Sequence, residues 1–246
     1  MSIKQNYTIG SWITLAHPAI AEIMCKSGFD WLTVDLEHSV ITIREAEELI
    51  RIIHLSNVSP FVRLTSNDEN QIKRVMDAGA HGIIVPMVKT KSDAEKAIKY
   101  VKYPPLGIRG VGLARAQGYG SEFKEYNKWL KNEVKIIVQI EHVDSINNLN
   151  DIISLKHING IFIGPYDLSA SLGIPGDFEN KMFKDAIKYI EEECKKKDVK
   201  MGIHIVEPNI YQLKKKIEQN YYYLAYSLDT RILDTSCRDA IGKIKK

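Results

Sequence analysis

Short apolar runs alternate with longer amphipathic segments along the whole chain. The runs are rich in β-branched and aromatic residues, and their near-continuous apolar character is typical of strands buried on both faces of a parallel sheet. Helical spacing of apolar residues, with Lys and Glu on the opposite face, is clearest at residues 43–55, 69–78, 92–101 and 181–196. The predicted strands cover residues 9–15, 31–35, 60–64, 82–86, 134–141, 160–164, 200–205 and 222–227.

Strand and helix in alternation, eight times over, predict an α/β fold, the (β/α)8 TIM barrel. No linker or change of composition divides the sequence, so residues 1–246 are expected to form a single barrel domain. Residues 103–120 interrupt the pattern, because their many Gly and Pro residues disfavour regular structure. They predict a long loop between the fourth and fifth strands, which we expect to leave the catalytic face of the barrel or to contact a neighbouring subunit.

Charge and composition argue against several classes of partner. Lys and Arg number 34 against 31 Asp and Glu, a net charge of +3, and there is no basic arm or helix of the kind that binds nucleic acid. No stretch approaches the roughly 20 apolar residues that span a membrane. The three cysteines lie far apart and no apolar signal segment begins the sequence, which predicts reduced thiols and a cytoplasmic location.

Active sites of TIM barrels lie at the carboxyl ends of the strands. Two predicted strands carry a carboxylate there, Glu141 at the fifth and Asp167 just after the sixth. Neighbouring strands are roughly 5 Å apart, so these charges would repel unless a cation lay between them, and Mg²⁺ or Mn²⁺ suits such oxygen ligands. The alternative, equally open at this point, is that one carboxylate pairs with Arg63 or caps a helix.

Further polar residues end predicted strands. Arg63 could bind a carboxylate or a developing oxyanion through two hydrogen bonds, or could instead pair with Asp35 or Glu37. Histidine titrates near pH 6.5 in solution, which makes His38, after the second strand, a candidate for proton transfer. Trp12 on the first strand is a candidate apolar wall, with ordinary barrel packing as the alternative.

The segment that begins with Gly164 opens the helix after the sixth strand. Its free backbone N–H groups at Tyr166 and Asp167 would suit a substrate carboxylate. No glycine-rich dinucleotide or P-loop fingerprint occurs, so no nucleotide cofactor is expected. A Schiff-base mechanism is disfavoured, because no lysine falls at the carboxyl end of a predicted strand.

Seven motifs combine these residues into a pattern that covers nearly the whole chain. They are TVDLEHS (33–39), FVRL (61–64), IVPMV (84–88), YPPLGIRGVG (103–112), VQIE (138–141), GIFIGPYDLS (160–169) and SLDT (227–230). In this order they resemble the HpcH/HpaI aldolases, which are metal-dependent class II pyruvate aldolases with a barrel of the phosphoenolpyruvate/pyruvate-domain type. Typical members are 4-hydroxy-2-oxoheptanedioate aldolase and 2-dehydro-3-deoxyglucarate aldolase.

The resemblance implies a carbon–carbon lyase that cleaves a 4-hydroxy-2-oxo acid to pyruvate and an aldehyde, or the reverse aldol addition. It implies that Glu141 and Asp167 ligate a divalent metal, Mg²⁺, Mn²⁺ or Co²⁺, and that Arg63 neutralises the enolate. His38 matches the proton-transfer histidine, and Asp77 matches an acidic residue that raises its basicity. The family is typically hexameric, with sites near subunit boundaries, so a homo-oligomer is expected.

The substrate contacts are implied in the same way. Gln139 and the Gly164 segment, including the backbone of Tyr166 and Asp167, match positions that hold the pyruvate part. Two departures concern the aldehyde partner: Tyr166 stands where a small residue is common, and His204 stands where an apolar residue lines the aldehyde pocket. Two other functions remain open, namely an acyl-CoA lyase of the citryl- or malyl-CoA type and a non-catalytic barrel in a surface-sugar pathway.

Overall fold

Eight parallel strands close into a barrel in this protein, whose structure, a computed structural model, describes residues 6–245. Each strand pairs with the next along the chain, and β1 closes the barrel against β8. The strands are β1 (Thr8–Ile13), β2 (Trp31–Asp35), β3 (Ser59–Arg63), β4 (Gly82–Val85), β5 (Lys135–Ile140), β6 (Gly160–Ile163), β7 (Met201–Ile205) and β8 (Tyr223–Leu228). The predicted TIM barrel is confirmed, with strand boundaries that differ from the prediction by at most two residues.

Helices separate the strands and cover the outside of the barrel. They are α1 (Pro18–Lys26), α2 (Ile43–Leu55), α3 (Glu69–Asp77), α4 (Lys91–Val101), α5 (Phe123–Asn132), α6 (Val143–Asn147), α7 (Leu149–Ile153), α8 (Pro165–Ser171), α9 (Lys181–Lys196), α10 (Ile210–Glu218) and α11 (Asp229–Gly242). Capping boxes begin α2 and α4, where Thr42 and Thr90 accept from the third backbone N–H of each helix. Within residues 6–245, no helix combines the length and apolarity needed to cross a bilayer.

The barrel interior is filled by large aromatic side chains. Trp31 stacks on Phe61 with ring centroids 5.4 Å apart, and Trp12 and Phe162 lie in the same buried cluster. Gly10 makes room for this packing, because a Cβ there would lie 2.0 Å from the Trp31 ring. The amino end of the barrel is therefore closed, and side chains can surround a cavity only towards the carboxyl end.

The segment 103–120 differs from its prediction in both position and structure. It follows α4, which runs antiparallel to the strands, so it starts at the amino-terminal face of the barrel rather than at the catalytic face. Arg115 Nη1 donates to the carbonyl of Ala78 at the end of α3, at 3.0 Å. The segment is also partly regular, since a 3-10 helix forms at Arg115–Gly120 and α5 follows. The expectation that it leaves the catalytic face was wrong within one chain, and a contact with a neighbouring subunit stays a prediction.

The two ends of the sheet are joined at the mouth of the barrel by Asp229, the first residue of α11. Its carboxylate accepts hydrogen bonds from the backbone N–H groups of Thr14 and Leu15, each at 2.8 Å, and from Thr14 Oγ1 at 2.6 Å. Asp229 is the one residue of α11 that is buried, and Leu233 and Ile241 are more than half exposed. The last helix is therefore anchored at its start and packs little against its own barrel.

Candidate active site

A cavity of about 270 Å³ opens at the carboxyl ends of the strands. Most of the residues that the sequence predicts for the site line it together: Trp12, His38, Arg63, Gln139, Gly164, Tyr166, Asp167 and His204. Glu141 lies directly behind them and hydrogen-bonds Gln139. Asp77 does not line this cavity. The structure thus brings one predicted constellation to one mouth, from six different strands and the segments that follow them.

Arg63 is held in place by two carboxylates that follow or end β2. Its Nε and Nη2 donate to the two oxygens of Asp35, at 2.9 and 2.5 Å, and its Nε lies 3.5 Å from Glu37 Oε2. The guanidinium also covers the ring of Trp12, 4.3 Å from its centroid. The two sequence interpretations of Arg63 are therefore compatible, because the side chain pairs with Asp35 and lines the cavity.

Glu37 is a half-buried carboxyl in the most acidic part of the site. Burial raises its pKa to about 7, and the neighbouring charges of Glu141, Asp35 and Asp167 act in the same direction, against the lowering effect of Arg63. Its Oε2 has no hydrogen-bond partner among the described residues. Four carboxyl groups thus surround one guanidinium, which leaves the site with an excess of negative charge.

Glu141 is fixed by a backbone group that follows β4 and by a side chain of β5. Its Oε1 accepts from the backbone N–H of Met87, and its Oε2 accepts from Gln139 Nε2, each at 2.6 Å. Burial raises its pKa, and Asp167 raises it further. Gly164 is needed here, because a Cβ at that position would lie 2.7 Å from Glu141 Oε2. The carboxylate therefore rests against the bare backbone at the end of β6.

These residues suit a hard divalent cation. Glu141 and Asp167 supply carboxylate oxygens, and their mutual repulsion is the kind that a bound cation relieves. Gln139 Oε1 is buried without a hydrogen-bond partner. Within residues 6–245 no three His, Cys, Asp or Glu side chains converge on one point. Two carboxylates could therefore hold a cation whose other positions are filled by substrate and water, as in catalytic sites that stay open.

Tyr166 forms one rim of the cavity. It lies in the first turn of α8 and packs edge-on against Phe178, with ring centroids 5.0 Å apart. More than half of its surface is exposed. Asp167 follows it in the same turn. The short helix therefore presents a phenol and a carboxylate next to each other at the entrance.

The opposite wall consists of Trp12 and His204. Their ring centroids lie 5.4 Å apart, and Phe162 meets Trp12 edge-on at 5.7 Å. Burial lowers the pKa of His204 to about 4, so the imidazole is neutral at physiological pH. The alternatives for Trp12 are both realised, because it is buried in the barrel packing and also lines the cavity.

His38 and Asp77 do not meet within one chain. His38 lies at the mouth, largely exposed, with its Nε2 3.8 Å from Glu37 Oε2. Asp77 ends α3 at the amino-terminal face, where Gln117 Nε2 donates to it at 3.3 Å and Arg109 Nη1 lies 3.9 Å away. Burial raises the pKa of Asp77 against these neighbours. An interaction between Asp77 and His38 would therefore require two copies of the chain.

Sequence reasoning named Asp35 and Glu37 only as alternative partners of Arg63, not as parts of the site. The alternation of side chains along a strand predicts that Asp35 and Arg63 face the same side of neighbouring strands. The backbone N–H of Met87 left no signal, because its role depends on a left-handed conformation with φ 53° rather than on its side chain.

Comparisons with known proteins agree with this geometry. The family model described as HpcH/HpaI aldolase/citrate lyase matches residues 8–233. A hydroxypyruvate/pyruvate aldolase of Sagittula stellata is 35% identical over 229 residues, 93% of this chain and 89% of the relative. A 4-hydroxy-2-oxo-heptane-1,7-dioate aldolase of Shigella flexneri is 33% identical over 227 residues, 92% of this chain and 84% of the relative.

A solved structure extends the likeness to the whole fold. The crystal structure of a family protein from Burkholderia cenocepacia J2315 superposes with a TM-score of 0.92 at 27% identity, covering 98% of this chain and 96% of that one. The family match, the related sequences and the barrel with its carboxylate-lined mouth lead to one conclusion: the chain belongs to the HpcH/HpaI aldolase/citrate lyase family.

Proposed function

We propose that this protein is a metal-dependent aldolase that cleaves a 4-hydroxy-2-oxo acid to pyruvate and an aldehyde, or catalyses the reverse addition. The observation that carries the proposal is the convergence of Arg63, Asp167 and His38 on one cavity, with Glu141 directly behind its lining. Relatives with more than 30% identity are named as aldolases for hydroxypyruvate or pyruvate and for a 4-hydroxy-2-oxo acid, which supports the reaction class.

The residues have separate tasks in the cleavage. A base aided by His38 removes the proton from the C4 hydroxyl group, the C3–C4 bond breaks, and the aldehyde leaves. The electron pair of the broken bond remains on the pyruvate part as an enolate. Arg63, already oriented by Asp35, stabilises the oxygen on which this charge develops. Protonation of C3 then gives pyruvate.

Glu141 and Asp167 would hold the metal, with Mg²⁺, Mn²⁺ or Co²⁺ as candidates. A divalent cation held there supplies a Lewis acid that polarises the keto group of the substrate. Gln139, Gly164 and the backbone of Tyr166 and Asp167 would orient the carboxylate and keto oxygens. Glu141 stays in position through its bonds to Met87 and Gln139.

We also propose that the protein works as a homo-oligomer, with a hexamer as the form expected from the family. Two surfaces support an assembly: the exposed apolar side chains of α11, and those of the segment after α4, including Ile108, Val111 and Leu113. Asp77 of one copy would then reach His38 of another and raise its basicity.

Pyruvate release from 4-hydroxy-2-oxo acids tests the proposed reaction. The purified protein should release pyruvate with Mn²⁺ or Mg²⁺, lose the activity with EDTA and regain it when metal is restored. Glu141→Gln should remove the metal-dependent rate and the binding of Mn²⁺ together. Full activity of Glu141→Gln in EDTA would refute the metal-dependent mechanism, and the absence of pyruvate release with any metal would refute the aldolase.

A further inference from the structure

His204 is a titratable residue of the cavity wall that the proposed reaction leaves without a task. It lies on β7, on the wall formed by β1, β7 and β8. A histidine held inside a barrel without a charged partner loses solvation, so its retention at a cavity wall calls for a specific role.

The imidazole is held in one tautomer by a strained backbone. His204 Nε2 donates to the carbonyl of Ser227 at 3.0 Å. Ser227 adopts the left-handed conformation, with φ 53°, and its side chain is tied down by a hydrogen bond from Oγ to the carbonyl of Val206 at 2.8 Å. Ser11 Oγ lies 3.2 Å from the same Ser227 carbonyl. The left-handed conformation is unfavourable for serine, and here it directs the Ser227 carbonyl at the ring.

This arrangement fixes what the ring can offer to a ligand. Because Nε2 carries the proton and the ring is neutral, Nδ1 is a hydrogen-bond acceptor. Among residues 6–245, no group hydrogen-bonds Nδ1, and His204 lines the cavity. An acceptor nitrogen attracts a hydroxyl group and repels a carboxylate.

The charges of the cavity favour the same kind of ligand. Arg63 is the one Lys or Arg side chain that lines it in the described part of the chain, and Asp35 already holds Arg63 through both of its oxygens. Asp35 and Asp167 line the same cavity. A second carboxylate on the substrate would therefore have no unpaired Lys or Arg side chain to bind among the residues that line the cavity in the described part of the chain. A hydroxyl group could instead donate a hydrogen bond to His204.

We propose that His204 is a specificity-determining residue that accepts a hydrogen bond from a hydroxyl group of the substrate, and that Ser227 positions it. The proposal rests on the proposed function. The substrate class is a reactant that presents a hydroxyl group, and not a second carboxylate, to His204. This hydroxyl is carried either by the aldehyde or by C3 of the 2-oxo acid.

Matched pairs of reactants test this in the direction of addition. Glycolaldehyde and propionaldehyde differ by a hydroxyl in place of a methyl group, and so do hydroxypyruvate and 2-oxobutanoate. Each pair is compared by its ratio of kcat/KM with the other reactant fixed. The intrinsic reactivity within a pair is the same for every variant, so a change of ratio reports the side chain.

The expected result is that His204→Leu lowers the hydroxyl-to-methyl ratio about tenfold in one of the two pairs, the size of one lost hydrogen bond. The affected pair identifies the reactant that carries the hydroxyl. His204→Asn, which retains an acceptor near the position of Nδ1, should restore part of the ratio. Val206→Ala, a matched change on the same wall without a polar atom, should leave the ratio at the wild-type value.

An unchanged ratio in both pairs for His204→Leu would overturn the inference. Hydrogen–deuterium exchange of the pyruvate methyl group in D₂O, followed by NMR, separates this failure from that of the proposed function, because exchange requires the enolate but no aldehyde. Wild-type exchange with an unchanged ratio would refute the role of His204 alone. No exchange and no addition would refute the aldolase and the inference with it.

Discussion

Arg63 and Asp35 are direct partners across β2 and β3. The strand register sets the two residues opposite each other, and their side chains meet through two parallel hydrogen bonds of 2.9 and 2.5 Å. Asp35 is 2% exposed, so its charge depends on the guanidinium for compensation. The pair contributes to the stability of the barrel, and it also orients the Arg63 guanidinium in the cavity.

Arg63→Lys should separate these two roles. Lysine retains the charge near Asp35 but cannot form the paired hydrogen bonds, so we expect kcat/KM to fall about 100-fold or more while the protein stays folded. Arg63→Met should in addition lower the free energy of unfolding by about 3 kcal/mol, because Asp35 would be buried without a partner. Arg51→Lys is the matched surface control. Wild-type kcat/KM in Arg63→Lys would contradict the role of Arg63.

Gly164→Ala should weaken metal binding by displacing Glu141. The backbone at Gly164 has φ −97°, which alanine adopts freely, but the new Cβ would lie 2.7 Å from Glu141 Oε2. We expect the displaced carboxylate to weaken Mn²⁺ binding by about tenfold or more, measured by calorimetry. Gly242→Ala, where a Cβ would meet nothing within 4 Å, is the control. Equal Mn²⁺ affinity in both variants would count against the site at Glu141.

His81 should make the protein sensitive to acid. It packs between His54 and Trp129, at ring distances of 4.9 and 5.4 Å, and burial lowers its pKa to about 4 from an ordinary value of 6.5. Between these pH values the unfolded chain binds the additional proton, so stability is complete above pH 6.5 and is lost as the pH falls towards 4. The loss attributable to His81 is about 3 kcal/mol at most.

Urea unfolding of His81→Phe at pH 8 and at pH 5 tests this prediction. An adjoining cavity of about 610 Å³ leaves room for the larger ring. We expect the variant to lose less stability between the two pH values than the wild-type protein. The same loss in both proteins would mean that His81 does not contribute.

Asp77 and His38 should complement each other between copies of the chain. We expect His38→Ala and Asp77→Asn to lower kcat separately, while each retains pyruvate binding. When the two variants are unfolded together and reassembled in equal amounts, roughly a quarter of the sites would combine an intact His38 with an intact Asp77. Activity that reappears on mixing supports the shared site, and activity that stays at the level of the separate variants contradicts it.

The sequence predicted the barrel because burial on both faces of a parallel strand imposes an apolar run that local composition reveals. It also predicted which polar strand ends meet at one mouth, since the fold gathers the carboxyl ends of the strands there. It failed for the segment after α4, where Gly and Pro residues indicated a loop but not the face on which that loop starts. The position of Asp77 was not predicted either, because only the direction of α3 shows that this residue lies at the amino-terminal face of the barrel.

Contacts made by the backbone were beyond prediction. The amide of Met87 and the carbonyl of Ser227 take part in the site through positive φ angles of 53° each. Positive φ angles are uncommon in residues other than glycine, so the residue type does not indicate them. A pattern of side chains therefore located Glu141 and His204 but gave no indication of the groups that orient them.

The hydrogen bonds of Asp229 to Thr14 and Leu15 determine when the barrel can close during synthesis. The residues that they join are more than 200 positions apart, so the last seam of the cylinder can form only after nearly all of the chain has left the ribosome. Trp12 and His204 come from opposite sides of that seam. A shortened chain that ends before residue 223 would thus carry Asp35, Glu37, Glu141 and Asp167 and still lack β8, the strand that encloses the chamber.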